Sequence, residues 1–199
     1  MHGRHLFCLA ALLAAGAQQL QAQQAKRVTP VFGFNVGAMA IESETAAASQ
    51  VGDRSFGVQL DGGVLLNRFF YLGADFGGQF LDDKAQFTQN TTAGEKESTA
   101  NVTYLSAIAG VRTGTPRVVP VALALNVGYS ATMSRRSIDQ CIDCRVDKLK
   151  IPGGGFVEPT LLVGRRNARF RASDRVYLDG KGMQSIISVG LDYRYQKKK

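Results

Sequence analysis

The run VVPVALALNVGYSATM, residues 118–133, decides the fold class. Val119, Val121, Leu123, Leu125, Val127 and Tyr129 fall on one parity, and Ala122, Ala124, Asn126, Gly128 and Ser130 on the other. A period of two places successive side chains on opposite faces of a β-strand. One face of this strand is apolar and the other is small or polar.

Working outward from it, the same alternation recurs seven times. Strands are expected at Val31–Ile41, Arg54–Leu66, Phe69–Phe80, Thr99–Thr113, Gly155–Gly164, Ala168–Leu178 and Met183–Tyr195, with Val118–Met133 as the fifth in chain order. In the seventh, Phe170, Ala172, Val176 and Leu178 oppose Arg169, Arg171, Ser173 and Arg175. Asp174 falls among the apolar set, which predicts a bulge or a strand leaving its apolar surroundings there. Pro120 and Pro159 each lack a ladder donor and are expected near a rim.

The connections alternate in length. Asn67-Arg68, Gly114–Pro116 and Arg165–Asn167 are tight, whereas residues 42–53, 81–98 and 134–154 are long; Asp179–Gly182 departs from the pattern by being short. Each strand suffices for the roughly 9–11 residues of a tilted membrane crossing.

The opposed faces separate a soluble barrel or sandwich from a membrane barrel. The less apolar set contains Asp61, Asp75, Arg112, Glu158, Arg169, Arg171, Arg175, Asp192 and Arg194, interspersed with Gly and Ala. Charges of both signs among small residues suit the narrow interior of a closed eight-stranded barrel, where carboxylate and guanidinium groups pair. Closure also leaves no unpaired sheet edge in hydrocarbon. The expected fold is all-β: an eight-stranded antiparallel up-and-down transmembrane β-barrel, with its apolar face outward.

The composition agrees. The chain has 199 residues, 45% of them hydrophobic, 22 glycines and no tryptophan; its mean hydropathy is −0.07. No stretch reaches the roughly 18–20 uncharged apolar residues of a membrane helix. Residues 1–25 read as an export signal: Arg4 beside His2 and His5, an apolar run from Leu6 to Ala14, and small-residue cleavage options between about 17 and 25. Residues 26–199 form the barrel domain. The formal net charge is +8, but the basic residues make no single stripe, and an exported chain is not expected to bind nucleic acid.

The last strand carries a recognisable pattern. Ser188-Val-Gly190-Leu-Asp192-Tyr193-Arg-Tyr195 resembles the C-terminal signal of bacterial outer-membrane barrels, with Gly190, Tyr193 and Tyr195 as its marks. Here Gln196 and three lysines follow, where such proteins typically end at the aromatic. Residues 30–195 as a whole resemble the small outer-membrane barrels of the OmpA, OmpX and opacity types. The resemblance implies a monomer in the outer membrane, with short periplasmic turns and longer external loops. Its implied partners are outer-membrane lipid, lipopolysaccharide and the barrel-assembly machinery that reads the final strand. A structural or surface-interaction role follows, with a narrow porin-like channel as the alternative.

Candidate chemistry is sparse. His2 and His5 are the only histidines, so cleavage of the leader removes the base of a Ser-His hydrolase and the histidine ligand of a zinc site. No enzyme, cofactor or metal is expected. Cys141 and Cys144 form a C-x-x-C in the third long connection. An oxidising envelope makes a local disulfide the expectation; a redox motif would need a thioredoxin-like context, and a metal would need ligands beyond Asp139, Asp143 and Asp147.

Overall fold

The computed structural model describes residues 28–83, 87–89, 92–94, 98–113, 120–138, 149–164 and 167–195. The proposed leader and Cys141 and Cys144 lie outside them. The elements are β1 (Val28–Ile41), α1 (Ser43–Ala48), β2 (Val51–Leu66), β3 (Phe70–Asp83), β4 (Phe87–Gln89), β5 (Thr92–Gly94), β6 (Ser98–Arg112), β7 (Val121–Ile138), β8 (Gly155–Val163), β9 (Ala168–Tyr177) and β10 (Met183–Arg194). Eight strands close into one barrel in the order β1-β10-β9-β8-β7-β6-β3-β2, while β4 and β5 pair as a separate small hairpin. All pairings are antiparallel. The seam joins β1 to β10 from Val31↔Arg194 to Ile41↔Met183.

The barrel is inside-out relative to a soluble protein. Leu123 is 59% and Phe76 55% exposed, whereas Asn126 is 1% and Asp61 6%. Leu125 and Leu191 also face outward, and Arg171 is buried. Leu123, Phe76, Leu125 and Leu191 are all exposed on the outer surface and do not meet in an apolar centre. The apolar parity read from the sequence forms the outer wall.

The interior is packed by an exchange of large and absent side chains. A Cβ at Gly77 would fall on the ring of Tyr104, one at Gly73 on Tyr71, and one at Gly128 on Phe156. Inward-facing glycines thus leave room for inward-facing rings on the same or the neighbouring strand. Gly190 serves the seam: a Cβ there would fall on the backbone oxygen of Phe34 and meet the Asn35 carboxamide, so β10 can approach β1 only without one.

Several boundaries differ from the sequence reading. Residues 42–53, expected to be loop, contain α1 and the first residues of β2. The alanines of α1 favour a helix, and Glu42 caps it, Oε1 accepting from Glu44 N at 3.0 Å and Oε2 from Thr45 N at 2.8 Å. Strand β3 runs on to Asp83 and β7 to Ile138, past the point where the apolar alternation stops. The described part of β7 begins at Val121, after Pro120, whose oxygen accepts from Gly164 N at 2.7 Å; Pro120 thus lies at the rim. Pro159 does not: it sits within β8, opposite Leu125. The ladder to β9 lapses between Val157↔Val176 and Thr160↔Ser173 and resumes in unchanged register, so a missing donor is absorbed without a shift.

Asp174 likewise needs no bulge. The β9–β10 register is continuous, with Asp174 opposite Ile187, and its side chain lies on the outer wall three residues from the end of β9. The turn after β2 behaves as read: Asn67 and Arg68 have φ of 49° and 67°, and Phe69 N donates to Leu66 O at 3.1 Å. Two left-handed residues match the twist of the flanking strands.

Two outcomes follow. Gly77→Ala forces a methyl against the Tyr104 ring and is expected to destabilise the barrel by about 1–3 kcal/mol. Gly78→Ala, whose Cβ meets nothing within 4 Å, is expected to change stability by less than about 0.5 kcal/mol. The urea midpoint of heat-modifiable gel migration compares them, and equal midpoints would contradict this packing. Separately, the two backbone donors Glu44 N and Thr45 N hold the Glu42 carboxyl below its ordinary range. A lowered folded pKa gives stability that is present above the ordinary carboxyl pKa and is lost as pH falls through the folded one. Amide exchange at Glu44 and Thr45, corrected for intrinsic rate, should therefore accelerate relative to the strands on acidification, and Glu42→Gln should remove that dependence.

Candidate functional site

The alternation that turns leucines outward turns the charged parity inward, and the structure brings those residues together in the lumen. Two groups of charges form. All of Asp61, Asp75, Arg112, Glu158, Arg169, Arg171, Arg175, Asp192 and Arg194 are buried.

The central group is a chain of five side chains crossing the barrel. Asp61 and Asp75 face each other in register on β2 and β3, so two carboxylates enter side by side. Arg171 and Arg175 come from β9, on the far wall, and Glu158 from β8 beside it. Arg171 Nη1 donates to Asp61 Oδ1 at 2.8 Å and its Nη2 pairs with Glu158 Oε1. Arg175 Nε donates to Glu158 Oε2 at 2.7 Å, and its Nη2 pairs with Asp75 Oδ2. The order across the lumen is Asp61–Arg171–Glu158–Arg175–Asp75.

Neutral groups complete the chain. Asn35 Nδ2 donates to Asp61 Oδ1 at 2.9 Å, Gln59 Nε2 to Asp75 Oδ2 at 3.0 Å, and Asn126 Nδ2 to Glu158 Oε1 at 3.2 Å. The Arg175 guanidinium lies 4.0 Å from the centre of the Phe156 ring. Buried charges survive only when paired and further hydrogen-bonded. Here each acid meets at least one guanidinium and each is also bound by an amide.

The second group lies at the end bearing the short turns. Arg112 Nη1 reaches across from β6 to Asp192, at 3.4 Å from Oδ1 and 3.3 Å from Oδ2, and its guanidinium rests 4.3 Å from the centre of the Tyr71 ring. Arg194 Nε is 3.9 Å from Asp192 Oδ2. Arg169 stands opposite Asp192 in the β9–β10 register.

The end bearing the long connections is closed differently. Met39, Ile41, Val51, Leu81, Met183 and Ile186 turn inward, joined by Ala46 of α1 and by Leu149 and Ile151 from the chain before β8. Arg136 fastens this cap. Its Nε donates to Asp83 Oδ2 at 3.1 Å and its Nη2 to the backbone oxygens of Ser49 and Gln50 at 2.6 and 3.3 Å. The sequence reading placed Arg136 and Asp83 in loops and did not single them out. Their signal was the continuation of β3 and β7, which polar residues conceal once a strand extends beyond the apolar band.

Gly190, Tyr193 and Tyr195 all lie on β10 or directly after it. Tyr193 and Tyr195 project outward, and Tyr195 N donates to Pro30 O at 3.0 Å to end the seam. Among the described residues no group of three or more His, Cys, Asp or Glu could hold a metal ion.

Comparison with known proteins fits this geometry. The crystal structure of Neisserial surface protein A (NspA) superposes with a TM-score of 0.55 at 15% identity, covering 86% of this chain and all of that one. At that identity the likeness is one of fold. No protein of curated description matches the sequence. The model of the outer membrane protein beta-barrel domain matches residues 7–147, and the chain belongs to that family of outer-membrane barrels.

Proposed function

We propose that the chain is a non-conducting outer-membrane barrel whose role is structural or surface-interacting, exercised by the long connections at its external end. The observation that carries this reading is the lumen itself. An ion-paired chain spans its middle and an apolar cap held by Arg136 fills one mouth. Eight strands enclose little more than their own inward side chains, and here these are bonded to one another rather than arrayed along a water-filled path.

In this reading the outward apolar wall meets membrane lipid, and lipopolysaccharide surrounds the external end. The final strand, with Gly190, Tyr193 and Tyr195, is what the barrel-assembly machinery recognises, and the barrel acts as a monomer. The carboxylates are engaged as acceptors by guanidinium and amide donors, which suits a scaffold better than general acid–base chemistry.

Planar-bilayer recording separates this from a narrow porin-like channel. The folded full-length chain is expected to give no stepwise conductance at either polarity. Reproducible single-channel steps would overturn the filled-lumen reading in favour of a channel.

A further inference from the structure

Asp174 interrupts the apolar outer wall at mid-height. The outward parity of β9 reads Phe170, Ala172, Asp174 and Val176, followed by Leu178 just past the strand. Asp174 therefore stands midway between exposed Phe170, towards the short turns, and exposed Leu178, towards the long connections. With a strand rise of about 3.3 Å and a tilt of about 40°, each interval spans roughly 10 Å along the barrel axis. Exposed Ile187 lies opposite it on β10, and Pro159 occupies the facing position on β8.

A carboxylate there faces hydrocarbon, well inside an apolar band about 25 Å tall. Long Lys and Arg side chains can carry a charge from such a depth to the interface, but the single methylene of an aspartate cannot. The basic side chains of β9, Arg169, Arg171 and Arg175, all turn into the lumen. Among the described residues none forms an ion pair with Asp174.

The backbone of the same residue adds a second acceptor. Leu178 N donates to Gly155 O at 2.8 Å, and antiparallel bonds recur at every second pair. In the β8–β9 register the bonded pairs are therefore Gly155 with Leu178, Val157 with Val176 and Pro159 with Asp174. A bonded pair exchanges two N–H···O bonds, and Pro159 has no N–H to give. The carbonyl of Asp174 receives no donor from β8, at a depth where hydrocarbon supplies none.

Two acceptors without a donor, at mid-depth on the lipid side, call for a cationic hydrogen-bond donor. A second copy meeting the same face would set acceptor against acceptor. The outward basic residues Arg54 and Arg135 stand past Phe56 and Met133, at the margin bearing the long connections. Ionisable groups within a membrane are costly unless paired, and they mark functional contacts.

We propose that the β8–β9 flank is a lateral docking site for a membrane-embedded segment of another protein, which places a lysine or arginine against Asp174. The surrounding Ala172 and Pro159 are short and let such a segment come close. The contact is made within the bilayer and is independent of the external connections.

The test folds the full-length chain into phosphatidylcholine vesicles with a synthetic transmembrane helix of leucine and alanine. The helix has blocked ends and one lysine at its centre. Dicyclohexylcarbodiimide enters the hydrocarbon and condenses a carboxyl with a touching amine; the amide forms, and the elements of water pass to the carbodiimide to give the urea. Mass spectrometry of the digested adduct locates the bond. An amide between Asp174 and the central lysine is expected. It should be lost in Asp174→Asn, kept in Asp174→Glu, and lost when the lysine is moved to the end of the helix.

Without the helix, Asp174→Leu should raise the urea midpoint of the barrel, because an unpaired charge leaves the lipid face. No adduct at residue 174, or one as abundant with the displaced lysine, overturns the proposal. So does a lowered midpoint in Asp174→Leu, which would show that the carboxylate already has a partner in its own barrel. Dimers of the protein alone that sediment in micelles and disappear in Asp174→Asn would overturn it in favour of a second copy.

Discussion

Glu158 lies between two guanidinium groups, and the interior of the barrel is organised around that arrangement. Arg171 and Arg175 are four residues apart on β9, with inward-facing Ser173 between them, so each reaches a different acid on the opposite wall while sharing Glu158 beside them. The carboxylates of Asp61 and Asp75, brought side by side by the β2–β3 register, would repel without those cations. Breaking a buried pair by removing one partner typically costs about 3–5 kcal/mol, because the other charge is left unpaired. The same chain joins β2 and β3 to β8 and β9 across the lumen, linking strands that the hydrogen-bond ladder connects only the long way round.

This interior is possible because the outer wall leaves it no competing task. In hydrocarbon a leucine gains nothing by turning inward, and the backbone must be paired throughout. The apolar residues therefore go out, the ladder closes on itself at the β1–β10 seam, and the small enclosed volume fills with whatever the other parity supplies. Glycines at 73, 77 and 128 make that volume sufficient for Tyr71, Tyr104 and Phe156. The two ends are finished with different chemistry: an apolar cap latched by Arg136 and Asp83 at one, and a cluster rich in arginine at the other.

Much of this was legible in the sequence because the governing signal is local. Alternation in residues 118–133 and 183–195 assigns a face to each side chain, and the Asn67-Arg68 pair announces a tight turn. The inward positions of Asp61, Glu158 and Arg175 follow from parity alone. Their partners do not, since pairing across the lumen depends on barrel closure and stagger. The cap was illegible for a related reason: Leu149 and Ile151 sit in a stretch without period, and only the folded chain shows them turned into the mouth. Strand ends were missed where β7 continues through Ser134, Arg135 and Arg136, because beyond the apolar band the outer face is free to be polar. Pro159 and Asp174 looked like interruptions, yet both occupy outward positions where the register passes them unchanged.

The absence of tryptophan makes the orientation of the wall directly measurable. Single substitutions Leu123→Trp, Phe76→Trp and Leu191→Trp, with Tyr104→Trp as the inward counterpart, can be folded into vesicles of lipid brominated along the acyl chain. The account predicts strong quenching at the three outward positions and much weaker quenching at 104. Protection of positions 123, 76 and 191 from the brominated lipid, with fluorescence typical of a shared apolar core, would contradict it.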